Sequence, residues 1–95
     1  MRLAWSNRAK DDLKALRQYS IERWGRVIAQ RYLEDVRDAA KATASDPRRS
    51  RRLRGDFHIV RVRSHALILN IDPIADRLTI ARVLHSAMDL ERHLP

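Results

Sequence analysis

The chain has 95 residues, of which 20 are lysine or arginine and 12 are aspartate or glutamate, so its formal net charge at pH 7 is +8. A chain of this length can bury one modest core, and we expect a single domain over residues 1–95. The absence of cysteine excludes disulfides, thiolate metal sites and a cysteine nucleophile. Neither a signal peptide nor an apolar segment of membrane-spanning length is evident, so the expected location is the cytoplasm.

Arginine accounts for 17 of the 20 basic residues. Its planar guanidinium matches phosphate and carboxylate groups, so the composition favours an acidic partner, either a nucleic acid or an acidic protein segment. Five of the arginines lie within seven residues: Arg48, Arg49, Arg51, Arg52 and Arg54. Two interpretations of this run stay open, a solvated basic loop and a binding patch.

The beginning of the chain predicts a short strand followed by a capped helix. Leu3 and Trp5 alternate with other residues, as in a strand with one buried face. Ser6 is a suitable N-cap for the helix. Asp11 and Asp12 follow early in the helix, where carboxylates favour the positive end of its dipole.

Two helices are predicted, joined by a short connection. The first ends at Gly25, a natural C-terminal stop, and the second runs from about Val27 to Ala44, before Ser45-Asp46-Pro47 breaks it. So short a connection makes the two helices an antiparallel hairpin. Spacings of three and four mark the inward faces, with Ala9, Leu13, Leu16, Ser20 and Trp24 in the first helix and Ala29, Leu33, Val36, Ala40 and Thr43 in the second.

The second half of the chain changes to the periodicity of strands. Three segments are rich in Ile, Val and Leu and are separated by turn-forming residues: Phe57 to Arg63, His65 to Asp72 and Leu78 to Leu84. They predict a three-stranded antiparallel meander, followed by a short helix from about Met88. The predicted order is β-α-α-β-β-β, with a helical hairpin packed on one face of a small, mostly antiparallel sheet and a short C-terminal helix. This is an α+β fold.

The face of the sheet opposite the hairpin has no obvious cover within the chain. Both faces of the predicted strands are partly apolar, and the sheet also carries arginine side chains, which is the character of a binding groove. The alternative is that the helices and the C-terminal segment cover this face as well. Trp5 and Trp24 lie in apolar register and are expected in the core rather than as stacking platforms for bases.

Three stretches of the chain resemble the RelE/ParE superfamily of small bacterial toxins. The stretch from Arg82 to Leu94 is similar to the C-terminal signature of the ParE-like, or plasmid-stabilisation, branch. Ser6 to Leu13 and the segment from Tyr19 to Trp24-Gly25 match the family in the same order. The family usually has proline at the position of Asn7, a difference that concerns helix initiation.

The resemblance implies a non-enzymatic toxin of a type II toxin–antitoxin system, which binds and inhibits DNA gyrase and is neutralised by a cognate acidic antitoxin. It also implies a hetero-oligomer with the antitoxin, contact with operator DNA only through the antitoxin, and no cofactor or metal. The excess of arginine and the uncovered apolar positions suit an acidic amphipathic segment, for which the expected charge partners are Arg61, Arg63 and Arg82. The expected contacts with the target are Met88, Arg92 and His93.

A ribosome-dependent mRNA endonuclease is the alternative on the same scaffold. In the RNase branch of the superfamily, the ribose 2′-hydroxyl attacks the adjacent phosphate, which requires a general base, a general acid and cations. Members supply these groups in part from lysine and a late tyrosine, but this chain has no lysine after Lys41 and no tyrosine after Tyr32. The remaining candidates are His85, Arg61 and Arg82, with His58, His65 and His93 as further histidines. In a regular strand, Arg82 and His85 project to opposite faces.

The same residues have a purely structural interpretation. His85 would orient the C-terminal segment through a hydrogen bond, and the arginines would pair with nearby carboxylates such as Asp89 or Glu91. With only two glycines the chain has no P-loop or dinucleotide fingerprint, and its four histidines lack metal-ligand spacing. A third function, from a different class, is a generic nucleic-acid-binding domain that uses the run from Arg48 to Arg54.

Overall fold

The structure is a computed structural model that describes residues 1–88 and 90–94, without the side chains of residues 90 and 91. Its elements are β1 Arg2–Trp5, α1 Asn7–Trp24, α2 Arg26–Ser45, β2 Arg51–Arg54, β3 Phe57–Val62, β4 His65–Asp72 and β5 Arg77–His85. The strands form one sheet in the order β1-β5-β4-β3-β2, in which β1 is parallel to β5 and the other neighbours are antiparallel. The two helices pack together on one face of the sheet, so the predicted α+β class is confirmed.

The sheet has one strand more than the sequence predicts. Residues Arg51–Arg54 form β2, an edge strand that pairs with β3, and Pro47–Arg49 before it form a 3-10 turn. The interpretation of the arginine run as a loop is therefore wrong for β2. Leu53 alone is apolar among the four residues, too few to show a strand period. The pairing depends on the tight turn at Gly55, whose φ of +54° favours glycine.

Local sequence accounts for the helical hairpin. The hydroxyl of Ser6 accepts a hydrogen bond from the backbone N–H of Ala9 at 3.0 Å, which confirms the predicted N-cap of α1. Gly25 ends α1 with a φ of +86° and donates its N–H to the carbonyl of Ile21. The next residue already begins α2. All five residues predicted to face inward from α2 are buried.

Two details of α1 differ from the prediction. Trp24 is 44% exposed and does not belong to the core, because it is the last residue of α1 and its indole stacks on Tyr32 at the end of the hairpin. Asp11 and Asp12 lie beyond the first turn of α1, so they do not serve its positive end. Trp5, by contrast, packs against the core and is partly buried, as the sequence predicts.

The main core lies between the hairpin and the sheet. Successive side chains of a strand point to opposite faces, so alternate residues of the central strands reach this core. The sheet contributes Leu67, Leu69, Leu78, Ile80 and Val83, and the hairpin contributes Ala9, Leu16, Tyr32, Leu33, Val36 and Ala40. Burial of each large aliphatic side chain contributes about 1.5–3 kcal/mol.

The opposite face of the sheet, which we call the outer face, carries a second and smaller cluster. Its members are Ile59, Ala66, Ile68 and Leu84, each at most 3% exposed. The C-terminal segment forms a 3-10 turn over Leu90–His93, where the sequence predicts a short helix, and Leu94 packs against the cluster. Within the described residues, the centre of the outer face is thus buried, and an open recess of about 750 Å³ remains beside it, lined by Arg54, Phe57, Asn70 and Leu94 among others.

The helices α1 and α2 each combine a buried face with a charged one. Neither of these described helices has the length together with the apolar character that a membrane crossing requires. In residues 1–88 and 90–94, no group of three histidine, aspartate or glutamate side chains is arranged to hold a metal ion.

Candidate functional site

The last strand changes its neighbours half-way along its length. β1 pairs only with the first half of β5, so the second half of β5 has a free edge. A β-bulge at Ala81 lies at the same place, since Ile80 and Arg82 oppose consecutive residues of β4. The hydroxyl of Ser6, the residue between β1 and α1, donates a hydrogen bond to the carbonyl of Ala81 at 2.8 Å and so links this junction to β5.

Asp12 of α1 takes the place of a neighbouring strand along this edge. Its carboxylate accepts the backbone N–H of Val83 at 2.9 Å and binds Nε and Nη2 of Arg82 at 2.8 and 3.0 Å. Both side chains are largely buried, with 12% of Arg82 and 17% of Asp12 exposed. The hydrogen bonds with Asp12 raise the pKa of Arg82 above its ordinary value, against the opposing effect of burial. Arg82 therefore stays charged, and its charge is matched inside the chain.

A series of ring contacts runs from α2 to the end of β5. The hydroxyl oxygen of Tyr32 accepts the backbone N–H of Ser64 at 3.1 Å and lies 2.6 Å from Nδ1 of His65. The imidazole of His65 meets that of His85 edge-on, with ring centres 5.2 Å apart. With the imidazole proton of His65 on Nε2, the hydroxyl of Tyr32 donates to Nδ1 of His65 and still accepts the N–H of Ser64.

The two histidines differ in their surroundings. Burial lowers the pKa of His65 below its ordinary value, and the charge of His85 acts in the same direction. The neutral form is the one that accepts the hydrogen bond from Tyr32, so the pKa and the hydrogen bond agree. His85 is exposed, and its Nδ1 accepts the backbone N–H of Ala87 at 3.1 Å. This hydrogen bond lies within the turn that directly follows β5, whereas the C-terminal 3-10 turn begins at Leu90.

A recess of about 330 Å³ lies between α1 and the free edge of β5. Its apolar lining is formed by the buried Leu16, Val83 and Leu84 and by the exposed Tyr19 and Met88. Its polar lining is formed by Asp12, Arg82, His65 and His85. The recess thus combines an apolar surface with two imidazoles and an ion pair whose charges are matched. Such a cavity suits an apolar side chain of a partner more than an anion.

An exposed apolar surface continues from the recess around the end of the hairpin. This hairpin-end surface consists of Tyr19, Trp24, Val27 and Ile28, which are 44–69% exposed. Tyr19 and Trp24 meet edge-on, with the guanidinium of Arg23 at 6.0 and 5.9 Å from the two ring centres. Tyr19 belongs to both the recess and the hairpin-end surface, so the two are continuous. A contiguous apolar and aromatic surface of this kind is typical of protein interfaces.

The three arginines expected to contact an acidic segment lie in different surroundings. Arg61 is exposed on β3, where it opposes Ala66 of the outer-face cluster, and it also borders a recess beside α2. Arg63 follows β3, where its Nε donates to Asp35 at 2.6 Å and its guanidinium covers the ring of Tyr32. Arg82 is held in the buried ion pair. The structure does not bring these three cations together on one surface.

The candidates for RNA cleavage are also only partly brought together. Arg82 opposes Ile68 of the outer face, whereas His85 meets His65 on the hairpin side, so the two side chains leave opposite faces of β5. Both nevertheless line the recess, because the guanidinium of Arg82 reaches the strand edge, while Arg61 lies two strands away on β3.

The C-terminal candidates extend from the end of β5. Met88 and Arg92 are exposed, and the carbonyl of His93 accepts a hydrogen bond from Arg82 at 3.4 Å. Asp89 and the side chain of Glu91, expected as partners for the arginines, lie outside the described residues. The carboxylate that Arg82 does meet belongs to Asp12 of α1.

Two features of the site were not identified from the sequence: the role of Tyr32, and Asp12 as the partner of Arg82. His65, one of the further histidines considered, contacts both Tyr32 and His85. A signal for Tyr32 is present, since it lies three residues after Ala29 and therefore on the inward face of α2. Asp12 had no such signal, because the residue it binds is 70 positions away.

Comparisons with known proteins agree on one family. The family model described as the ParE toxin of the type II toxin–antitoxin system parDE matches residues 3–90. The chain is 28% identical over 89 residues to toxin ParE1 of Mycobacterium tuberculosis, in each of two strains, with 90% of both proteins covered.

Solved structures share the fold. The chromosomal ParDE toxin–antitoxin system from P. aeruginosa matches with a TM-score of 0.78 at 14% identity, over 90% of this chain and 95% of that one. The RelBE2 toxin–antitoxin complex from Mycobacterium tuberculosis gives 0.70 at 22%, over 88% and 95%, and the YoeB/ParE toxin from Agrobacterium tumefaciens gives 0.64 at 17%, over 90% and 98%. The match to the family model includes the hairpin, all five strands and the walls of the recess, and this chain belongs to the ParE toxin family of type II toxin–antitoxin systems.

Proposed function

We propose that this toxin acts by binding and inhibiting DNA gyrase, without cleaving RNA, and that a cognate acidic antitoxin neutralises it. The main observation in favour of binding rather than cleavage is the buried ion pair of Arg82 and Asp12. A nuclease needs cations that are free to meet the phosphate charge growing in the transition state. Arg82 is already matched by a carboxylate, so a phosphate placed beside it would also face the negative charge of Asp12.

The other candidates for RNA chemistry support the same proposal. His85 uses Nδ1 to accept the backbone N–H of Ala87, and Arg61 lies two strands away from β5. General acid–base catalysis requires that its groups lie within hydrogen-bond reach of one reacting centre. Because Arg82 and His85 already have partners within the chain and Arg61 lies apart from them, we favour action by binding. The choice of gyrase as the target has a different basis, the resemblance to the ParE-like branch.

The direct test of the target is the supercoiling of relaxed plasmid by purified gyrase at rising toxin concentration. We expect the toxin to block supercoiling or to trap gyrase on cleaved DNA. Normal supercoiling at saturating toxin would exclude gyrase as the target and would leave the family membership intact.

The C-terminal contacts can be tested in the same assay. A variant with Met88→Ala, Arg92→Ala and His93→Ala should lose inhibition while it still melts cooperatively. The matched control is Ile74→Ala, which removes a side chain that is 99% exposed in the turn between β4 and β5. If the triple variant unfolds, the segment is needed for the core and the single variant Met88→Ala decides whether it also contacts the target.

For the antitoxin, we propose that the hairpin-end surface and the recess receive its acidic, amphipathic C-terminal segment. Apolar side chains of that segment would cover Trp24, Val27 and Ile28, and its carboxylates would lie near Arg23 and Arg63. Of the arginines suggested by the sequence, Arg63 is next to this surface, because its guanidinium covers the same Tyr32 ring on which Trp24 stacks. Two of the matching structures are described as toxin–antitoxin systems or complexes, which supports such a partner.

Calorimetry with the C-terminal peptide of the protein encoded next to the toxin gene tests this contact. We expect nanomolar-range affinity, about 12 kcal/mol of binding free energy. Trp24→Ala should remove about 2 kcal/mol or more, since large aromatic residues dominate protein interfaces. Ile74→Ala is again the control. No binding of the peptide to the wild-type toxin would refute the proposed contact.

One observation favours RNA cleavage as a second candidate function. His65 and His85 stand edge-on in the same recess as Arg82, and two imidazoles can act as an acid and a base. The test is translation-coupled cleavage of messenger RNA. Codon-positioned cuts that appear with the wild type and vanish in His85→Ala would replace the gyrase proposal with this one.

A further inference from the structure

The run from Arg48 to Arg54 lies at the edge of the sheet opposite β1. β2 is the last strand in the order β1-β5-β4-β3-β2, whereas the recess borders β5. Residues 46–61 contain six arginines and two aspartates, a net charge of +4 out of +8 for the whole chain. Half of the excess positive charge is thus concentrated in 16 residues, which form the edge strand β2, its adjoining turns and most of the neighbouring strand β3.

Most of these arginines are not matched by carboxylates. Arg51 and Arg54 are exposed, and their guanidinium groups make no hydrogen bond or ion pair with any residue that the structure describes. Arg49 is also exposed, and its charge acts on Asp46. Arg48 pairs with Asp46 at 2.9 Å, close to the end of α2. The charge of the edge is therefore directed to solvent, unlike that of the buried pair beside β5.

The arginines of this edge lie close together in the chain. Arg49 belongs to the 3-10 turn Pro47–Arg49 and comes two residues before Arg51, which opposes Ile59 of β3. Arg49 and Arg61 both border a recess of about 310 Å³ beside α2. Within β2, Arg51, Arg52 and Arg54 lie along a length of about 10 Å, so they concentrate positive charge at the edge.

The chemistry of this edge differs from that of a protein interface, which has an apolar or aromatic centre. Among the described residues, the large exposed apolar side chains all lie elsewhere: Tyr19, Trp24, Val27, Ile28, Ile74 and Met88. A row of arginines without such a centre matches a phosphate backbone, which is bound through charge and without regard to base sequence.

We infer that the edge formed by Arg48 to Arg54 together with Arg61 binds the phosphate backbone of duplex DNA. The inference goes beyond the proposed function, because neither gyrase nor the antitoxin takes part in the contact. Binding of this kind depends on few apolar contacts and releases counterions from DNA, so its affinity falls steeply as salt rises.

Fluorescence anisotropy with a labelled duplex of arbitrary sequence tests the inference over salt concentrations of about 50 to 200 mM. A variant with Arg49→Gln, Arg51→Gln and Arg54→Gln leaves the Arg48–Asp46 pair in place. It should bind more weakly, and the slope of log affinity against log salt should fall by about 2 to 3, because each lost phosphate contact removes about 0.9.

The matched control carries Arg8→Gln, Lys14→Gln and Arg31→Gln, which remove the same charge from exposed positions of α1 and α2. It should keep the wild-type slope. Equal loss in both triple variants would overturn the inference, since net charge alone would then attract the DNA. The inference would also be overturned if the wild type showed no salt-dependent binding to the duplex. It would likewise be overturned if a glutamate-rich peptide displaced the labelled duplex as strongly as unlabelled DNA of equal charge. Cooperative melting verifies folding, and the gyrase assay stays independent of each outcome.

Discussion

Arginine has opposite roles at the two edges of the sheet. At the β5 edge, Arg82 is largely buried, and Asp12 matches both its charge and the open backbone N–H of Val83. At the β2 edge, arginines such as Arg51 and Arg54 extend into solvent without a carboxylate among the described residues. The difference comes from the neighbouring element, because α1 follows directly on β1 and lies against β5. Whether an arginine is structural or available to a partner is thus decided by what packs beside it.

The largest expected effect follows removal of the carboxylate at the β5 edge. Asp12→Ala leaves the guanidinium of Arg82 and the N–H of Val83 largely buried without their acceptor. We expect the free energy of unfolding, measured in urea, to fall by about 3–5 kcal/mol. The control Asp35→Ala removes the partner of the exposed Arg63 and should cost less than about 1 kcal/mol. Equal losses would contradict the distinction between the two ion pairs.

A second effect is expected where the recess meets α2. Tyr32→Phe removes the acceptor of the Ser64 N–H and the donor to His65, so the free energy of unfolding should fall by about 1–3 kcal/mol. Tyr19→Phe removes an exposed hydroxyl from the wall of the same recess and should change stability by at most about 0.5 kcal/mol. The comparison in urea fails if Tyr19→Phe is the more damaging variant.

His65 should make the stability of the protein depend on pH. Its pKa is lowered in the folded protein, so the unfolded chain takes up this proton more readily. The stabilising contribution is complete above the ordinary pKa of about 6.5 and is lost as the pH falls toward the folded value. The urea midpoint of the wild type should therefore decrease as the pH is lowered through this range. The decrease should be smaller in His65→Gln and the same as in the wild type in His58→Gln, which removes a histidine from β3.

The smallest effect is expected at the β2 edge. The variant with Arg49→Gln, Arg51→Gln and Arg54→Gln loses exposed charges only, so its free energy of unfolding should change by less than about 1 kcal/mol. A loss comparable with that of Asp12→Ala would show that these arginines hold the edge strand in place. Thermal and urea unfolding of the same sample used for DNA binding settles the point.

Patterns that act over a few residues predicted most of the fold. Ser6 and Gly25 mark the ends of α1 through local hydrogen bonds, and the aliphatic segments predicted β3, β4 and β5. β2 could not be predicted in this way, because its pairing comes from the Gly55 turn and from β3 rather than from its own period.

The site was less predictable because its contacts join distant parts of the chain. Arg82 and His85 were identified from the sequence, but the state of Arg82 depends on Asp12 and on the bulge at Ala81, neither of which leaves a local pattern. Trp24 was misplaced in the core because a helical period does not show where the sheet beneath the helix ends.

The contacts of β5 with β1 and α1 join the two ends of the chain. Ser6 binds Ala81 and Asp12 binds Arg82, across 75 and 70 residues. On a ribosome that adds about 5–20 residues per second, Arg82 is made about 4–14 s after Asp12. During that interval the N-terminal strand lacks its partner and the hairpin lacks part of the sheet that covers it. The recess therefore comes into existence only when synthesis of the chain is nearly complete.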